Sequence, residues 1–137
     1  MDQRTLVVSC VEYYSKLKNI PSNNVFASFE KAGFLKMIVD SQKMFPEMGH
    51  DFYIGMVDGL TYLESDAKTE EAEYTHAEER TALIDAVVAM LQKKHKMNDL
   101  EACEMYYHSQ TAGSVSNEKT GYYLKSAQEI FDLIEAE

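Results

Sequence analysis

Apolar residues recur every three or four positions along most of the chain, the spacing that gathers side chains on one face of an α-helix. Leu6, Val7, Cys10, Val11, Tyr14 and Leu17 form the first such stripe. Pro21 ends the connection after it, and Ser22 stands where it can cap a second helix with Val25, Phe26 and Phe29 on its inner face. Gly33 supplies a stop, because it enters the left-handed region without a Cβ penalty. Phe34, Leu35, Ile38 and Val39 predict a third helix ending before Pro46. A fourth, over roughly 50–64, is expected to bury Phe52, Met56, Val57, Leu60 and Leu63.

Residues 65–75 break the pattern. They lack an apolar stripe and fit either a solvated linker or a polar extension of the fourth helix, and the linker is the preferred reading. Thr75 and Glu78 then have the spacing of a capping box, which opens a long helix burying Leu83, Ile84, Val87, Val88 and Leu91. Asn98 with Glu101 opens another, carrying Leu100, Cys103, Tyr106 and Tyr107. Thr111 to Val115 fits one further turn, and Asn117 to Gly121 is turn chemistry. Ser126 with Glu129 makes a last capping box before Ile130, Phe131, Leu133 and Ile134. The expected fold is all-α, a compact helical bundle of about seven helices in two similar-sized halves. Residues 1–64 form the N-terminal half, 65–75 an acidic linker and 76–137 the C-terminal half.

The halves share a register. Val7, Val8 and Val11 align with Val87, Val88 and Leu91, and after a slip of three residues Val25, Phe26, Phe29 and Ile38 align with Ala102, Cys103, Tyr106 and Val115. Two amphipathic helices of any origin can align this way, but in either case each half has too little interior alone. The halves are therefore expected to pack together or against a second copy.

Charge narrows the partners. The chain of 137 residues carries 13 Lys+Arg against 23 Asp+Glu, a formal net charge of −10. A duplex binder needs a cationic face to displace counterions, and none of the segments 1–64, 65–80 and 81–137 is net basic, so nucleic acid is an unfavoured partner. Lys93, Lys94 and Lys96 suit the negative end of a helix dipole. Cys10 and Cys103 stand apart among apolar residues and read as buried reduced thiols. No signal peptide or membrane span is recognisable, which points to the cytoplasm.

The chemistry of known catalytic motifs is missing. There is no glycine-rich phosphate loop, no His-Glu-x-x-His, no paired Cys-x-x-Cys and no Gly-x-Ser-x-Gly. His50, His76, His95 and His108 are scattered. His76 with Glu78 and Glu79 would ligate a metal only with help from elsewhere, and reads more simply as a helix start. The paired carboxylates Glu70-Glu71 and Glu78-Glu79 lie in the most polar stretch, where nothing desolvates a general acid. No catalytic residue, cofactor or metal is implied, and the expectation is that the chain is not an enzyme.

Tyrosine and methionine are the unusual content. Tyr13-Tyr14, Tyr106-Tyr107 and Tyr122-Tyr123 are adjacent pairs, and neighbours on a helix diverge by about 100°. One ring of each pair can then join the core while the other faces outward, either as a partner-binding contact or as a boundary tyrosine with its hydroxyl in water. Met37, Met44, Met48 and Met56 crowd the third and fourth helices, as core filling or as an adaptable groove, with core filling preferred.

Cys10-Val11-Glu12-Tyr13-Tyr14, Val25 with Phe29-x-Lys31-x-Gly33 and Ile38, then Tyr53-Ile54 and Val57-Asp58 together resemble a known family. It is a family of small helical bacterial proteins of unknown function. Their genes often neighbour one encoding an ADP-ribosyltransferase-like protein, in loci of toxin–antitoxin type. The resemblance covers about residues 5–64. It departs at Ser41-Gln42-Lys43-Met44-Phe45, where the family shows a Tyr-Asp-x-Leu-His run, so no role of that tyrosine or histidine transfers. From about residue 80, Tyr107-x-Ser109, Glu118-x-Thr120-Gly121 and Ser126 followed by Ile130-Phe131-Asp132-Leu133 and Glu137 are similar to a short companion protein of such loci. The resemblance implies a cytosolic protein-interaction module with antitoxin-like restraint of a partner, the product of an adjacent gene or a second copy. The alternatives are a DNA-binding regulator using Lys31, Lys36 and Lys43, and a small-molecule or metal-binding helical domain.

Overall fold

A computed structural model describes residues 2–60 and 74–137, with the side chain of Leu60 also left undescribed. Among the described residues the chain is all-helical, with no strand. In order the helices are α1 (Gln3–Lys18), α2 (Ser22–Ala32), α3 (Phe34–Met44), α4 (His50–Leu60), α5 (Ala77–His95), α6 (Asp99–Tyr107), α7 (Gln110–Ser116) and α8 (Ala127–Glu135). Short 3₁₀ turns, Glu118–Thr120 and Tyr122–Leu124, join α7 to α8. The described residues form eight α-helices where about seven were expected, because residues 110–116 close into a helix of their own.

Helix α1 is the axis of the packing, touching α2, α3, α4, α5 and α6. That position buries far more than one stripe. Val8, Ser9, Glu12 and Ser15 are enclosed along with Leu6, Val7, Cys10, Val11 and Tyr14, whereas Leu17, expected inside, is 58% exposed. One continuous apolar core runs from Leu6 to Ile134 and draws on both ends of the chain. Contacts of Thr5 with Asp85 and of Glu12 with Arg80 show that α1 and α5 run antiparallel. Every residue matched in the shared register is buried in both halves. The contact of α1 with α4 also has its counterpart in that of α5 with α8.

Helix ends follow local chemistry in most places. Gly33 takes φ 79° at the C-cap of α2, a conformation that a side chain would strain. The capping boxes Asn98–Glu101 and Ser126–Glu129 both form. Three expectations fail. Ser22 does not cap α2, because Pro21 takes that position and the Ser22 hydroxyl is drawn inward to Glu12. Thr75 and Glu78 form no capping box; the N-cap of α5 is His76, whose N–H donates to Glu118 from across the fold. In α4 the buried face is Tyr53, Ile54 and Val57, and Phe52 is 38% exposed, because α4 meets α1 about one position out of the expected register. Leu63 and the linker residues 65–73 lie outside the described residues, while Tyr74 is buried.

Candidate functional site

Two features stand out chemically, one sealed and one open. The sealed one is a charged network. Arg80 and Glu12 are both fully buried, with Arg80 Nε donating to Glu12 Oε1 at 2.8 Å. Arg80 Nη1 donates to Glu118 Oε1 at 2.6 Å. The Ser22 hydroxyl donates to Glu12 Oε1 and the Tyr107 hydroxyl to Glu12 Oε2, each at 2.7 Å. His76 closes the outer end, its N–H donating to Glu118 Oε1 at 2.7 Å and its Nδ1 lying 2.9 Å from Oε2. Each buried charge meets an opposite charge and further hydrogen bonds, the condition under which burial is tolerated. Glu12 and Arg80 are sealed from solvent, and the network braces the fold by tying α1 to α5.

A second brace mirrors it. In the shared register Glu12 corresponds to Gln92. Arg4 at the start of α1 reaches Gln92 at 3.2 Å and Asp85 at 2.8 Å, as Arg80 near the start of α5 reaches Glu12.

The open feature is the turn between α3 and α4. Met44, Phe45, Met48 and Phe52 are 75%, 43%, 44% and 38% exposed, the densest run of exposed large apolar side chains among the described residues. Pro46 prevents continuation of α3, and Phe45 N–H closes that helix on Ser41. The Phe45 carbonyl then accepts from Met48 N–H at 3.2 Å and from the hydroxyl of fully buried Tyr53 at 3.0 Å. The turn is thus tied to the core from beneath while its side chains face water. Phe45 and Phe52 lie 5.6 Å apart between ring centroids. Exposed Asp40, Glu47 and Asp51 and the cation Lys43 belong to the same stretch.

The six tyrosines singled out by pairing do not converge. Tyr14, Tyr106 and Tyr107 are buried, and burial pushes the hydroxyls of Tyr106 and Tyr107 well above their ordinary pKa. Both members of the 106–107 pair face inward, because α6 packs against α1, α2, α5 and α7; neither ring is presented to a partner. Tyr13, Tyr122 and Tyr123 are half-buried. Tyr13 stacks on His50 at 3.9 Å, and Tyr123 lies against His76 at 4.9 Å. Met44 and Met48 are exposed, against the preferred reading of core filling, while Met37 and Met56 do pack on the core.

Lys31, Lys36 and Lys43 are exposed, but Asp40 shares the α3 face with Lys36 and Lys43 and lies 3.9 Å from Lys43, so the strip alternates in sign. Among the described residues no group of three or more His, Cys, Asp or Glu is placed to hold a metal ion, and no helix is long and apolar enough to cross a membrane. Beside α8 lie two open depressions, of about 500 Å³ (Met90, Lys93, Lys94, Phe131) and about 310 Å³ (Lys125, Glu129, Asp132, Leu133). Neither encloses a buried polar group. Comparison with family models, with curated proteins and with solved structures gives no match to this chain.

Proposed function

We propose that the chain is a non-catalytic protein-interaction module whose docking face is the turn at residues 44–52. The observation that carries this reading is the exposure of Met44, Phe45, Met48 and Phe52 on a turn tied down by Tyr53. Clustered apolar exposure of this kind marks association surfaces, and aromatic residues and methionine are enriched in them. Removing the exposed part of each side chain from water returns about 1 kcal/mol, which supplies a contact only when all four act together.

The rim selects the partner. Three carboxylates, Asp40, Glu47 and Asp51, outnumber the cation Lys43, and the whole chain is strongly acidic. The fitting partner is a protein with an apolar pocket and a basic rim, drawn in by the long-range field. A second copy would set like charges against each other. Tyr13 adjoins this face through its stack on His50, the first residue of α4. The resemblance to toxin–antitoxin-type loci makes the adjacent gene's product the first partner to try, with restraint of that partner as the role.

The test is the native mass of the chain mixed with that product, for the wild type and for Phe45→Asp. A stoichiometric complex that Phe45→Asp abolishes, with the helical signal unchanged, is the expected result. No complex, or one indifferent to the substitution, would overturn the reading.

A further inference from the structure

The docking face carries two thioethers, and they are the most exposed methionines among the described residues: Met44 at 75% and Met48 at 44%. Met37, Met56, Met90, Met97 and Met105 are half-buried, and all but Met90 pack on the core. The thiols offer no competition. Cys10 and Cys103 are buried, and burial pushes both up to about 12, so neither is a thiolate near neutral pH. A small oxidant in solution therefore meets the docking face before any other described sulfur.

We infer that Met44 and Met48 form an oxidation-sensitive modification site, at which a hydroperoxide turns the docking face from apolar to polar and releases the partner. The inference rests on the assignment of residues 44–52 as that face. In the step, a thioether lone pair attacks one peroxide oxygen, so the S–O bond forms as the O–O bond breaks. The hydroxyl left on sulfur gives its proton, directly or through water, to the departing hydroxide, which with hydrogen peroxide as oxidant leaves as water. Sulfur loses two electrons and the peroxide gains them. The sulfoxide oxygen is a strong acceptor. Against the apolar pocket of the proposed partner it has no donor once the interface closes, and an unsatisfied buried acceptor weakens binding by roughly ten- to a hundredfold.

Graded hydrogen peroxide on the full chain, read by peptide mass mapping, tests the site without a partner. Met44 is expected to gain oxygen first and Met48 next. Both should revert with methionine sulfoxide reductase, and both cysteines should still take an alkylating label after unfolding. Equal oxidation of the half-buried methionines or of the cysteines would overturn the inference. Retention on a hydrophobic-interaction column should fall on oxidation for the wild type and hold for Met44→Leu/Met48→Leu; unchanged wild-type retention would also overturn it. With the partner present, oxidation should dissociate the wild-type complex, and methionine sulfoxide reductase should restore it. A complex that survives oxidation of both sulfurs refutes the switch and leaves the docking reading standing, whereas absence of any complex refutes the docking reading itself.

Discussion

Glu12→Leu is the sharpest perturbation of the fold, because it removes a charge that three side chains share. Glu12 receives Arg80 Nε at 2.8 Å and the hydroxyls of Ser22 and Tyr107, and its own carbonyl lies 3.4 Å from Arg80 Nη2. Leucine nearly matches its volume, so little is lost in packing. What remains is a fully buried guanidinium whose partners are the Glu118 carboxylate and, at 3.4 Å, the Glu12 and Tyr74 carbonyls, with two hydroxyls short of an acceptor. Breaking one side of a buried ion pair costs about 3–5 kcal/mol. A domain of this size holds about 5–15 kcal/mol in all. At roughly 3 °C per kcal/mol, Tm should fall by about 10–15 °C. Urea unfolding followed by far-ultraviolet circular dichroism measures the loss. The control is Glu12→Leu/Arg80→Met, which removes both charges and is expected to recover at least about 2 kcal/mol of it. A loss under about 1 kcal/mol for Glu12→Leu with an unchanged denaturant slope, or no recovery in the double variant, would refute the argument that Glu12 compensates a sealed Arg80.

The other expectations concern smaller effects. Phe45→Asp should change folding stability by no more than about 0.5 kcal/mol, because its side chain is already 43% exposed, and a thermal melt checks this. Glu137 is pushed up by partial burial but pulled down further by the Thr111 hydroxyl and the amides of Gln110 and Thr111, so its carboxyl sits below its ordinary value of 4.5. A carboxyl depressed by folding contributes stability that is whole above that ordinary value and is lost as pH falls through the folded one. Glu137→Gln should therefore destabilise at neutral pH by about 0.5 kcal/mol, the low end for an exposed helix cap, and the difference from wild type should vanish in acid; stability measured against pH reads both.

The helices were legible because their stripes and stops are local. Gly33, the Asn98 and Ser126 boxes and the apolar face of α5 each follow from a few consecutive residues. The errors came where a distant residue decides. Ser22 carries the right chemistry for a cap, but a buried carboxylate on α1 takes its hydroxyl. His76 N–H finds Glu118, some forty positions along, in place of a local cap. The buried pair did leave a trace, since Arg80 lies on the stripe of Ile84, Val87 and Leu91, and Glu12 lies between Val8 and Ser15 on an enclosed helix. A cation and an anion on the inner faces of two helices are an ion pair in waiting. At Tyr106–Tyr107 the expected split into an inner and an outer ring fails, because a helix packed on several sides, as α6 is, has no outward face there, whereas Tyr14 is buried and Tyr13 half-buried as that split requires. The exposed turn was unreadable for the opposite reason: Met44, Phe45, Met48 and Phe52 look like core residues until the tie from Tyr53 to the Phe45 carbonyl shows where the backbone goes.

Amide hydrogen exchange of the chain alone and mixed with the proposed partner, the adjacent gene's product, tests the central claim most directly. New protection is expected over residues 44–53, with the amides of α5 and α8 unchanged. Protection confined to the α5–α8 surface, with the turn exchanging as fast as before, would contradict it.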